Sequence, residues 1–311
     1  MSASLAFVFP GQGSQSLGML AEHGTQAQVL DTFAEASEAL GYDLWALTQQ
    51  GPEAQLNQTD KTQPAILAAS IALWRLWLAE GGVRPAFVAG HSLGEYSALV
   101  AAGSLSLAAA VRLVERRGQL MQEAVPAGQG GMAAILGLDD AEVLAACAEA
   151  AQGEVVSAVN FNAPGQVVIA GAAAAVERAI EVCKARGAKR AMPLPVSVPS
   201  HCALMCPAAE RFAEEVCAID WQMPSIALVQ NVSAAVVEDL EGLRRDLLAQ
   251  LYNPVRWVES VVRLSELGVT HLVECGPGKV LSGLNKRCVK GINIFNLDTP
   301  DAFAAARAAL A

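Results

Sequence analysis

Residues 86–102 combine a serine between two glycines with the local pattern of a strand, a tight turn and a helix. A short apolar run, Ala86-Phe87-Val88-Ala89, leads into Gly90-His91-Ser92-Leu93-Gly94, and a helix-compatible segment follows from Glu95 to Ala102. In this context Gly-x-Ser-x-Gly is the pattern of a nucleophile elbow, where the serine stands at the tip of the turn and the glycines let strand and helix approach closely. The alternative is a serine that only caps the helix.

Four histidines limit the choice of the general base that would take the proton of this serine. His23 lies in a polar loop, and His91 is poorly directed for proton transfer because it is the direct neighbour of the serine. His201 comes just before a predicted helix at the junction of two predicted domains, where a base would reach into an interdomain cleft. We therefore prefer His201, and His271, which lies inside a predicted strand, is the alternative.

The helix predicted over 107–124 carries an arginine at the edge of its apolar stripe, which consists of Leu107, Val111, Val114, Gly118 and Met121. Arg117 is at helical spacing from Leu113 and Met121, whereas Arg112 and Arg116 project away from the stripe. An arginine in that position needs an anion, which a bound substrate would supply. An internal ion pair or a snorkelling side chain explains the same spacing.

The first apolar run, residues 5–10, is predicted to be a strand, and it ends in the glycine-rich loop Gly11-Gln12-Gly13-Ser14-Gln15. A dinucleotide-binding fingerprint fails here because Ser16 occupies the position of its third glycine and no acidic residue ends a clear second strand. Two alternatives stay open: a loop whose backbone N–H groups face an anion, and a simple turn into a helix.

The order of predicted elements changes between residues 126 and 197. Within this range the strands and helices follow the order βαββαβ, with a hairpin turn at Ala163-Pro164-Gly165, which is typical of a ferredoxin-like domain. On either side strands alternate with helices, which predicts a mostly parallel sheet covered on both faces. We predict an α/β fold with a large domain, residues 1–125 and 198–311, and an inserted ferredoxin-like small domain, residues 126–197.

The composition of the 311-residue chain restricts its partners. A formal net charge of −10 argues against nucleic acid and anionic membranes. The longest apolar helix, residues 65–79, is too short to span a bilayer, and the N-terminus lacks the basic region of a signal peptide. The seven cysteines lack C-x-x-C spacing, and no further ligands accompany His201, Cys202 and Cys206 at zinc-like spacing. We expect a cytoplasmic monomer without a metal site.

Motifs along nearly the whole chain resemble, in the same order, those of malonyl-CoA:acyl carrier protein transacylases. This resemblance implies a hydrolase-like α/β core with an inserted ferredoxin-like subdomain, in agreement with the periodicity. It rests on Phe9-Pro10-Gly11-Gln12-Gly13-Ser14-Gln15, Thr62-Gln63-Pro64-Ala65, Gly90-His91-Ser92-Leu93-Gly94-Glu95, Arg116-Arg117-Gly118, Asn160-Phe161-Asn162-Ala163-Pro164-Gly165-Gln166, Pro199-Ser200-His201-Cys202-Ala203-Leu204-Met205, Gln250-Leu251-Tyr252-Asn253-Pro254-Val255-Arg256-Trp257 and Gly276-Pro277-Gly278.

The resemblance assigns roles to the reacting groups. It implies that Ser92 is the nucleophile and His201 its base, and that the backbone N–H groups of Gln12 and Leu93 form the oxyanion hole. The family has no aspartate in its dyad, and the backbone carbonyl of Gln250 is implied to orient the histidine.

The resemblance also implies the substrates. Arg117 would pair with the carboxylate of malonyl-CoA, a geometry that guanidinium serves well. The malonyl group would then pass to the phosphopantetheine thiol of an acyl carrier protein for fatty acid elongation. No cofactor is implied, because the coenzyme A thioester is itself a substrate. Further candidates for lining the site are Gln63, His91, Asn160 and Asn162.

The carrier protein of this pathway is small and strongly acidic, so we expect a basic surface to receive it. Two basic clusters stand out, one comprising Lys184, Arg186, Lys189 and Arg190 and the other Lys286, Arg287 and Lys290. We take Lys189, Lys286 and Arg287 as docking candidates, and two merely solvated faces are the alternative.

Two functions from other classes stay open at this point. A serine esterase or thioesterase would share the elbow, but it would need His271 as its base. A carrier-binding module without enzymatic activity would share the surface and would not need Ser92.

Overall fold

The computed structural model describes residues 2–196 and 198–311, which form two separate sheets. The strands are β1 (Ser2–Phe9), β2 (Pro85–Gly90), β3 (Gly130–Leu136), β4 (Val156–Ala163), β5 (Gln166–Ala172), β6 (Arg190–Pro193), β7 (Ala227–Val229), β8 (His271–Glu274) and β9 (Asn293–Asn296). The α-helices are α1 (Ala27–Leu40), α2 (Leu44–Gln50), α3 (Glu53–Leu56), α4 (Thr59–Ala79), α5 (Gly94–Ala101), α6 (Leu107–Ala124), α7 (Asp140–Ala151), α8 (Ala173–Ala185), α9 (Cys206–Cys217), α10 (Leu240–Ala249), α11 (Trp257–Glu266), α12 (Val280–Cys288) and α13 (Pro300–Leu310). Short 3₁₀ helices span Ala21–His23 and Ala203–Met205.

The larger sheet has the strand order β7-β2-β1-β8-β9, and all of its pairings are parallel. The smaller sheet has the order β4-β5-β3-β6, and all of its pairings are antiparallel. With α7 after β3 and α8 after β5, the smaller unit follows the ferredoxin-like order. The predicted fold class, a parallel α/β core carrying a ferredoxin-like subdomain, is confirmed.

Helix α4 forms the centre of the large domain, because it is buried on nearly all sides. Its aromatic residues Trp74 and Trp77 lie edge-on against Phe7 of β1, with ring centroids 5.3 and 5.4 Å away. Helix α6 packs on α4 where Gly118 faces Asp60, and a Cβ at position 118 would lie only 2.6 Å from the Cα of Asp60. This close crossing places side chains of α4 and α6 next to one another.

The small sheet and its two helices enclose an apolar core of their own. Strand β4 also bonds to the large domain, since the Phe161 N–H donates to the Val255 carbonyl and the Val255 N–H to the Val159 carbonyl. The predicted domain boundary at residue 197 falls on Ser197, which, like Met1, lies outside the described residues.

The sequence prediction missed several short elements, namely α2, α3, α12 and β9, and of α13 it recognised only the alanine-rich part. One prediction about a single residue was wrong. His23 does not lie in a polar loop: it is 2% exposed in the first 3₁₀ helix, and its Nε2 contacts the Leu297 carbonyl. Over residues 2–196 and 198–311, none of the helices has the length and apolarity needed to cross a bilayer.

Candidate active site

Ser92 occupies a strained turn between β2 and α5. Its φ of 50° is in the left-handed region, which a residue with a side chain adopts only when its surroundings enforce it. A Cβ on Gly90 would collide with the backbone of Gly94, and a Cβ on Gly94 would collide with the Phe9 carbonyl. Both glycines are therefore required for the strand, the turn and the helix to pack this closely.

Asn231, which follows β7, holds this turn from the side. Its Oδ1 accepts a 2.7 Å hydrogen bond from the Ser92 N–H, and its Nδ2 donates to the Gly90 carbonyl. The turn thus lies at the carboxyl ends of adjacent parallel strands, where α/β sheets place their ligands. Nothing in the sequence pattern had pointed to this asparagine.

The side chain of Ser92 meets His201 and does not cap the helix. Ser92 Oγ lies 2.8 Å from His201 Nε2, and His201 Nδ1 lies 2.6 Å from the Gln250 carbonyl. A carbonyl oxygen only accepts, so Nδ1 carries the ring proton and Nε2 is free to accept one from the serine. The His201 N–H also donates to the Leu251 carbonyl at 2.9 Å, so main chain and side chain are held by consecutive carbonyls.

His201 is kept neutral by its surroundings. Burial, followed by the positive charge of Arg117, lowers the pKa of His201 to about 3. A histidine with this pKa has an unprotonated Nε2 at every ordinary pH. The ring is therefore in the neutral form that proton acceptance requires, and no carboxylate is needed for that state.

Arg117 is 1% exposed and is held by two neutral amides. Its Nη1 donates to Gln63 Oε1 at 2.9 Å and its Nη2 to Gln250 Oε1 at 3.0 Å, while its Nε has no hydrogen-bond partner. Its guanidinium carbon lies 5.4 Å from the centroid of the Tyr96 ring. No carboxylate of the described residues forms an ion pair with Arg117. The internal ion pair considered from the sequence is therefore wrong within the part of the chain that the structure describes.

The side-chain amide of Gln250 joins these groups. Its Oε1 faces Arg117, and its Nε2 donates to the Ser92 carbonyl at 3.1 Å and to Glu95 Oε2 at 2.9 Å. Gln250 thus supplies the carbonyl that binds His201 and the amide that binds Arg117. The resemblance pointed to the carbonyl of this residue and not to its side chain.

The backbone amides of Gln12 and Leu93 lie at the ends of two neighbouring strands. Gln12 is exposed in the loop after β1, and Leu93 directly follows Ser92 at the start of α5. Neither N–H donates to an acceptor among residues 2–196 and 198–311. Both are available to an oxyanion that forms at Ser92.

His91 and the two asparagines of β4 connect the elbow with the small domain. His91 Nε2 lies 2.7 Å from Asn162 Oδ1, and its ring stands edge-on to Trp257 with centroids 5.5 Å apart. Burial lowers the pKa of His91. Asn160 is 5% exposed and is bridged to Val255. His91 therefore has a structural role, because its side chain contacts Asn162 of the small domain.

His271 does not approach the serine. It lies in β8, where Nδ1 is 2.9 Å from Thr270 Oγ1 and Nε2 is 3.2 Å from Asn293 Nδ2. The hypothesis of an esterase that uses His271 is therefore wrong. Cys202 donates its thiol to the Pro199 carbonyl, and the described residues contain no cluster of three or more His, Cys, Asp or Glu side chains suited to a metal.

The two basic clusters differ in how much of their charge is already paired. Arg186 pairs with Glu142 and Glu149, and Lys184 pairs with Glu181. In the second cluster, Arg287 donates to the Pro164 carbonyl and to Gln166 Oε1, across the hairpin between β4 and β5. Lys189 and Lys286 are exposed and form no ion pair with a described residue.

Lys189 and Arg287 both lie beside this hairpin. The stem of Lys189 packs at Gly137, whose N–H donates to the Gly165 carbonyl, and Arg287 binds the adjoining Pro164. One residue of each basic cluster therefore lies beside the same hairpin, and the strand that enters it, β4, carries Asn162, which contacts His91.

This arrangement is that of a nucleophilic acyl-transfer site on a parallel α/β sheet. It combines a strained serine, a neutral histidine beside it, two backbone amides without an acceptor among the described residues, and an arginine that forms no ion pair with them. The model of the acyl transferase domain family matches residues 6–296. The malonyl CoA-acyl carrier protein transacylase of Salmonella typhimurium is 61% identical over 302 residues, which are 97% of this chain and 98% of the relative.

Solved structures agree with this match. The malonyl-CoA:acyl carrier protein transacylase of Xanthomonas oryzae pv. oryzae has a TM-score of 0.98 and 55% identity, and covers 100% of this chain and 99% of its own. A malonyl-transacylase in complex with its type II PKS acyl-carrier protein has a TM-score of 0.97 and 56% identity over 98% of this chain and 99% of its own. The chain therefore belongs to the acyl transferase family, in the group of malonyl-CoA:acyl carrier protein transacylases.

Proposed function

We propose that this protein transfers the malonyl group of malonyl-CoA to the phosphopantetheine thiol of an acyl carrier protein, with Ser92 as the covalent intermediate. The observation that carries the proposal is the environment of Arg117: this buried guanidinium donates its hydrogen bonds to two neutral amide oxygens, and no described carboxylate forms an ion pair with it. A site that selected an uncharged acyl group would have no use for this unpaired charge. The full-length similarity to named transacylases supports the same substrate.

The first half-reaction forms the malonyl-serine. Ser92 Oγ attacks the thioester carbonyl while His201 Nε2 takes its proton, and the carbonyl oxygen becomes an oxyanion bound by the N–H groups of Gln12 and Leu93. The tetrahedral intermediate then collapses, the carbon–sulfur bond breaks, and His201 returns the proton to the sulfur of the departing coenzyme A. The products of this half-reaction are the malonyl ester of Ser92 and free coenzyme A.

The second half-reaction reverses this order with a different thiol. His201 takes the proton of the phosphopantetheine thiol, the sulfur attacks the malonyl ester, and the same two amides bind the new oxyanion. The proton then returns to Ser92 Oγ, which leaves as the hydroxyl. Because the malonyl group stays on Ser92 after coenzyme A has left and before the carrier thiol attacks, we expect ping-pong kinetics. Neither half uses a metal or a redox group, so removal of metals with a chelator should leave the rate unchanged.

The carrier approaches along the hairpin between β4 and β5. Lys189 and Arg287 lie beside this hairpin, and Lys286 precedes Arg287 in α12. Their positive charges oppose the diffuse repulsion between an acidic carrier and a protein of net charge −10. We assign the product to fatty acid elongation. A carrier of a polyketide pathway, of the kind bound by one of the similar structures, is the alternative to be compared with it in the assay.

The proposal is tested by mass spectrometry of the intact protein mixed with malonyl-CoA. We expect one malonyl adduct, localised by peptide mapping to Ser92, which disappears when a phosphopantetheinylated carrier protein is added. Ser92→Ala should give no adduct, and His201→Ala should slow both halves by about two to four orders of magnitude, the usual contribution of general acid–base catalysis.

Other outcomes would point elsewhere. Normal adduct formation by Ser92→Ala would refute the mechanism. Release of free malonate at the same rate with and without carrier would identify a thioesterase. Carrier binding without any adduct on the wild-type protein would identify a binding module.

A further inference from the structure

Glu95 is a buried carboxyl group that the proposed mechanism does not use. It lies three residues after Ser92, in the first turn of α5, and is 1% exposed. Its oxygens accept three hydrogen bonds: Oε2 from the Gln250 side chain at 2.9 Å and from the Asn231 N–H at 3.0 Å, and Oε1 from Gln230 Nε2 at 3.2 Å. A buried carboxylate with three donors and no cation bonded to it needs an explanation, because burial of charge is costly.

The contacts of Glu95 fix the orientation of the Gln250 amide. Nε2 of Gln250 faces two acceptors, Glu95 Oε2 and the Ser92 carbonyl, so its Oε1 must point the other way, toward Arg117. Rotating this amide by half a turn would place its oxygen against a carboxylate and its NH₂ group against a guanidinium. Both contacts would be repulsive, so the carboxylate determines which end of the amide Arg117 meets.

Glu95 Oε2 is also linked to Ser92 through Asn231. Glu95 Oε2 accepts from the Asn231 N–H, and the side chain of Asn231 holds the N–H of Ser92 and the carbonyl of Gly90. One carboxylate thus joins the end of α10, the loop after β7 and the elbow. The elbow lies more than 130 residues before the other two segments in the sequence.

We propose that Glu95 is a positioning residue for substrate selection: it holds the Gln250 amide so that an oxygen, and not an NH₂ group, faces Arg117. This inference rests on the proposed function, because it assigns a cause to the preference for a carboxylated acyl group. The three donors suit an ionised Glu95. Burial raises the pKa of Glu95 to about 7, and the bonds donated by Gln250, Asn231 and Gln230 oppose that rise.

The decisive variant is Glu95→Gln, which keeps the volume of the side chain. A glutamine has one acceptor oxygen for three donors and has no negative charge, so one of its contacts becomes repulsive and its hold on the Gln250 amide weakens. We expect the ratio of malonyl-CoA to acetyl-CoA specificity, measured as kcat/KM for acylation, to fall about tenfold, the effect of one hydrogen bond to a charged group.

Glu274→Gln is the matched control. Glu274 is equally buried at the end of β8, and it accepts the N–H groups of Leu281 and Ser282 at the start of α12 without contacting Gln250. We expect this variant to lose stability and to keep the malonyl-to-acetyl ratio. An equal ratio for Glu95→Gln, Glu274→Gln and the wild type would overturn the inference.

A double-mutant cycle separates a positioning role from a merely structural one. Gln250→Ala removes the amide but keeps the backbone carbonyl that binds His201. If Glu95 acts through this amide, Glu95→Gln adds no further loss of selectivity in the Gln250→Ala background. Additive losses would contradict the inference.

A second variant and the malonyl adduct of the wild-type protein complete the test. If Glu95→Gln does not fold, Glu95→Asp takes its place, since it keeps the charge but withdraws it from Gln250, and it must also lower the ratio. A wild-type protein that forms no malonyl adduct would refute the proposed function, whereas an adduct together with an unchanged ratio in the Glu95 variants refutes only this inference.

Discussion

At the scale of single residues, a main-chain carbonyl and not an acid orients His201, the proposed base. The Gln250 carbonyl accepts from His201 Nδ1 at 2.6 Å and fixes the tautomer as an aspartate would, but it adds no negative charge. With Arg117 nearby, the site disfavours a protonated histidine. We therefore expect the imidazolium of the proposed acyl transfer to give up its proton readily to the leaving thiol.

The protonation of His201 can be measured directly. Burial and the charge of Arg117 lower its pKa to about 3, so we expect the imidazole ¹⁵N shifts of selectively labelled protein to show neutral His201 from pH 8 down to pH 5. The unfolded chain binds this proton near its ordinary pKa of about 6.5. The contribution of His201 to stability is therefore full above that value and is lost as the pH falls toward 3.

The control for this measurement is Arg117→Ala. Removing the guanidinium removes the second-largest cause of the shift, so the pKa of His201 should rise although the ring stays buried. Half-protonation of His201 near pH 6.5 in the wild-type protein would contradict the expectation.

Arg117→Ala also tests the selection of the acyl group. We expect kcat/KM for malonyl-CoA to fall far more than for acetyl-CoA, because only malonyl carries a second carboxylate. The loss of a desolvated charge pair corresponds to about 2–5 kcal/mol of transition-state binding. Arg112→Ala on the same helix, whose Nε donates to the Ala39 carbonyl at the surface, should leave both values unchanged. Equal losses for the two thioesters would make Arg117 a structural residue.

The sequence indicated the candidate reacting residues better than the residues that hold them in place, such as Asn231. Ser92 lies in a pattern that is complete within five residues, so its turn could be inferred locally. Asn231 and the amide of Gln250 act on partners 139 and 133 residues away, and their own neighbourhoods in the sequence contain no pattern that reveals this. Such contacts are set by the arrangement of whole strands.

At the scale of elements, the crossing of α4 and α6 determines the distance between Gln63 and Arg117. Each side chain comes from one of these helices, and Gly118 lies at the closest approach. A small residue at this crossing therefore contributes to stability and to the geometry of the site.

We expect Gly118→Ala to separate the two helices, because its Cβ would lie 2.6 Å from the Cα of Asp60. Overpacking of this kind costs about 1–3 kcal/mol, visible as a lower denaturation midpoint, and it should also reduce the malonyl-to-acetyl ratio. The matched control is Gly283→Ala in α12, where a Cβ meets nothing within 4 Å and alanine should add about 1 kcal/mol of stability. A Gly118→Ala protein as stable and selective as the wild type would show that the crossing adapts.

Periodicity predicted the long elements well and the short ones poorly. The bounds of α6 agree with the helix predicted over 107–124, since it presents a repeated apolar face over 18 residues. Helix α3 has four residues and strand β9 has four, too few to show a period. Only Leu56 of α3 is buried, and β9 forms at the edge of the sheet by pairing with β8.

At the scale of the whole molecule, the uneven distribution of charge matters more than its sum. The net charge is −10, yet Lys189 lies beside the hairpin between β4 and β5, and Lys286 directly precedes Arg287, which binds the same hairpin. An acidic carrier would be repelled at long range and attracted at this edge.

Charge reversal of Lys189 and Lys286 to Glu should raise the KM for the carrier, more strongly at low salt, and should leave acylation by malonyl-CoA nearly unchanged. Arg211→Glu with Arg263→Glu alters the net charge equally, on side chains already paired with Glu123 and Glu266, and should have a smaller effect. Equal effects of the two double variants would place the docking surface elsewhere.

One segment, residues 250–255, both connects the two domains and binds His201. The segment that offers carbonyls to His201 at Gln250 and Leu251 continues to Val255, where it bonds to strand β4. A hinge moves least along its own axis. If the small domain turns about this joint, we expect the width of the entrance to change more than the distance between His201 and Ser92. Entry of the carrier arm and proton transfer would then not depend on the same motion.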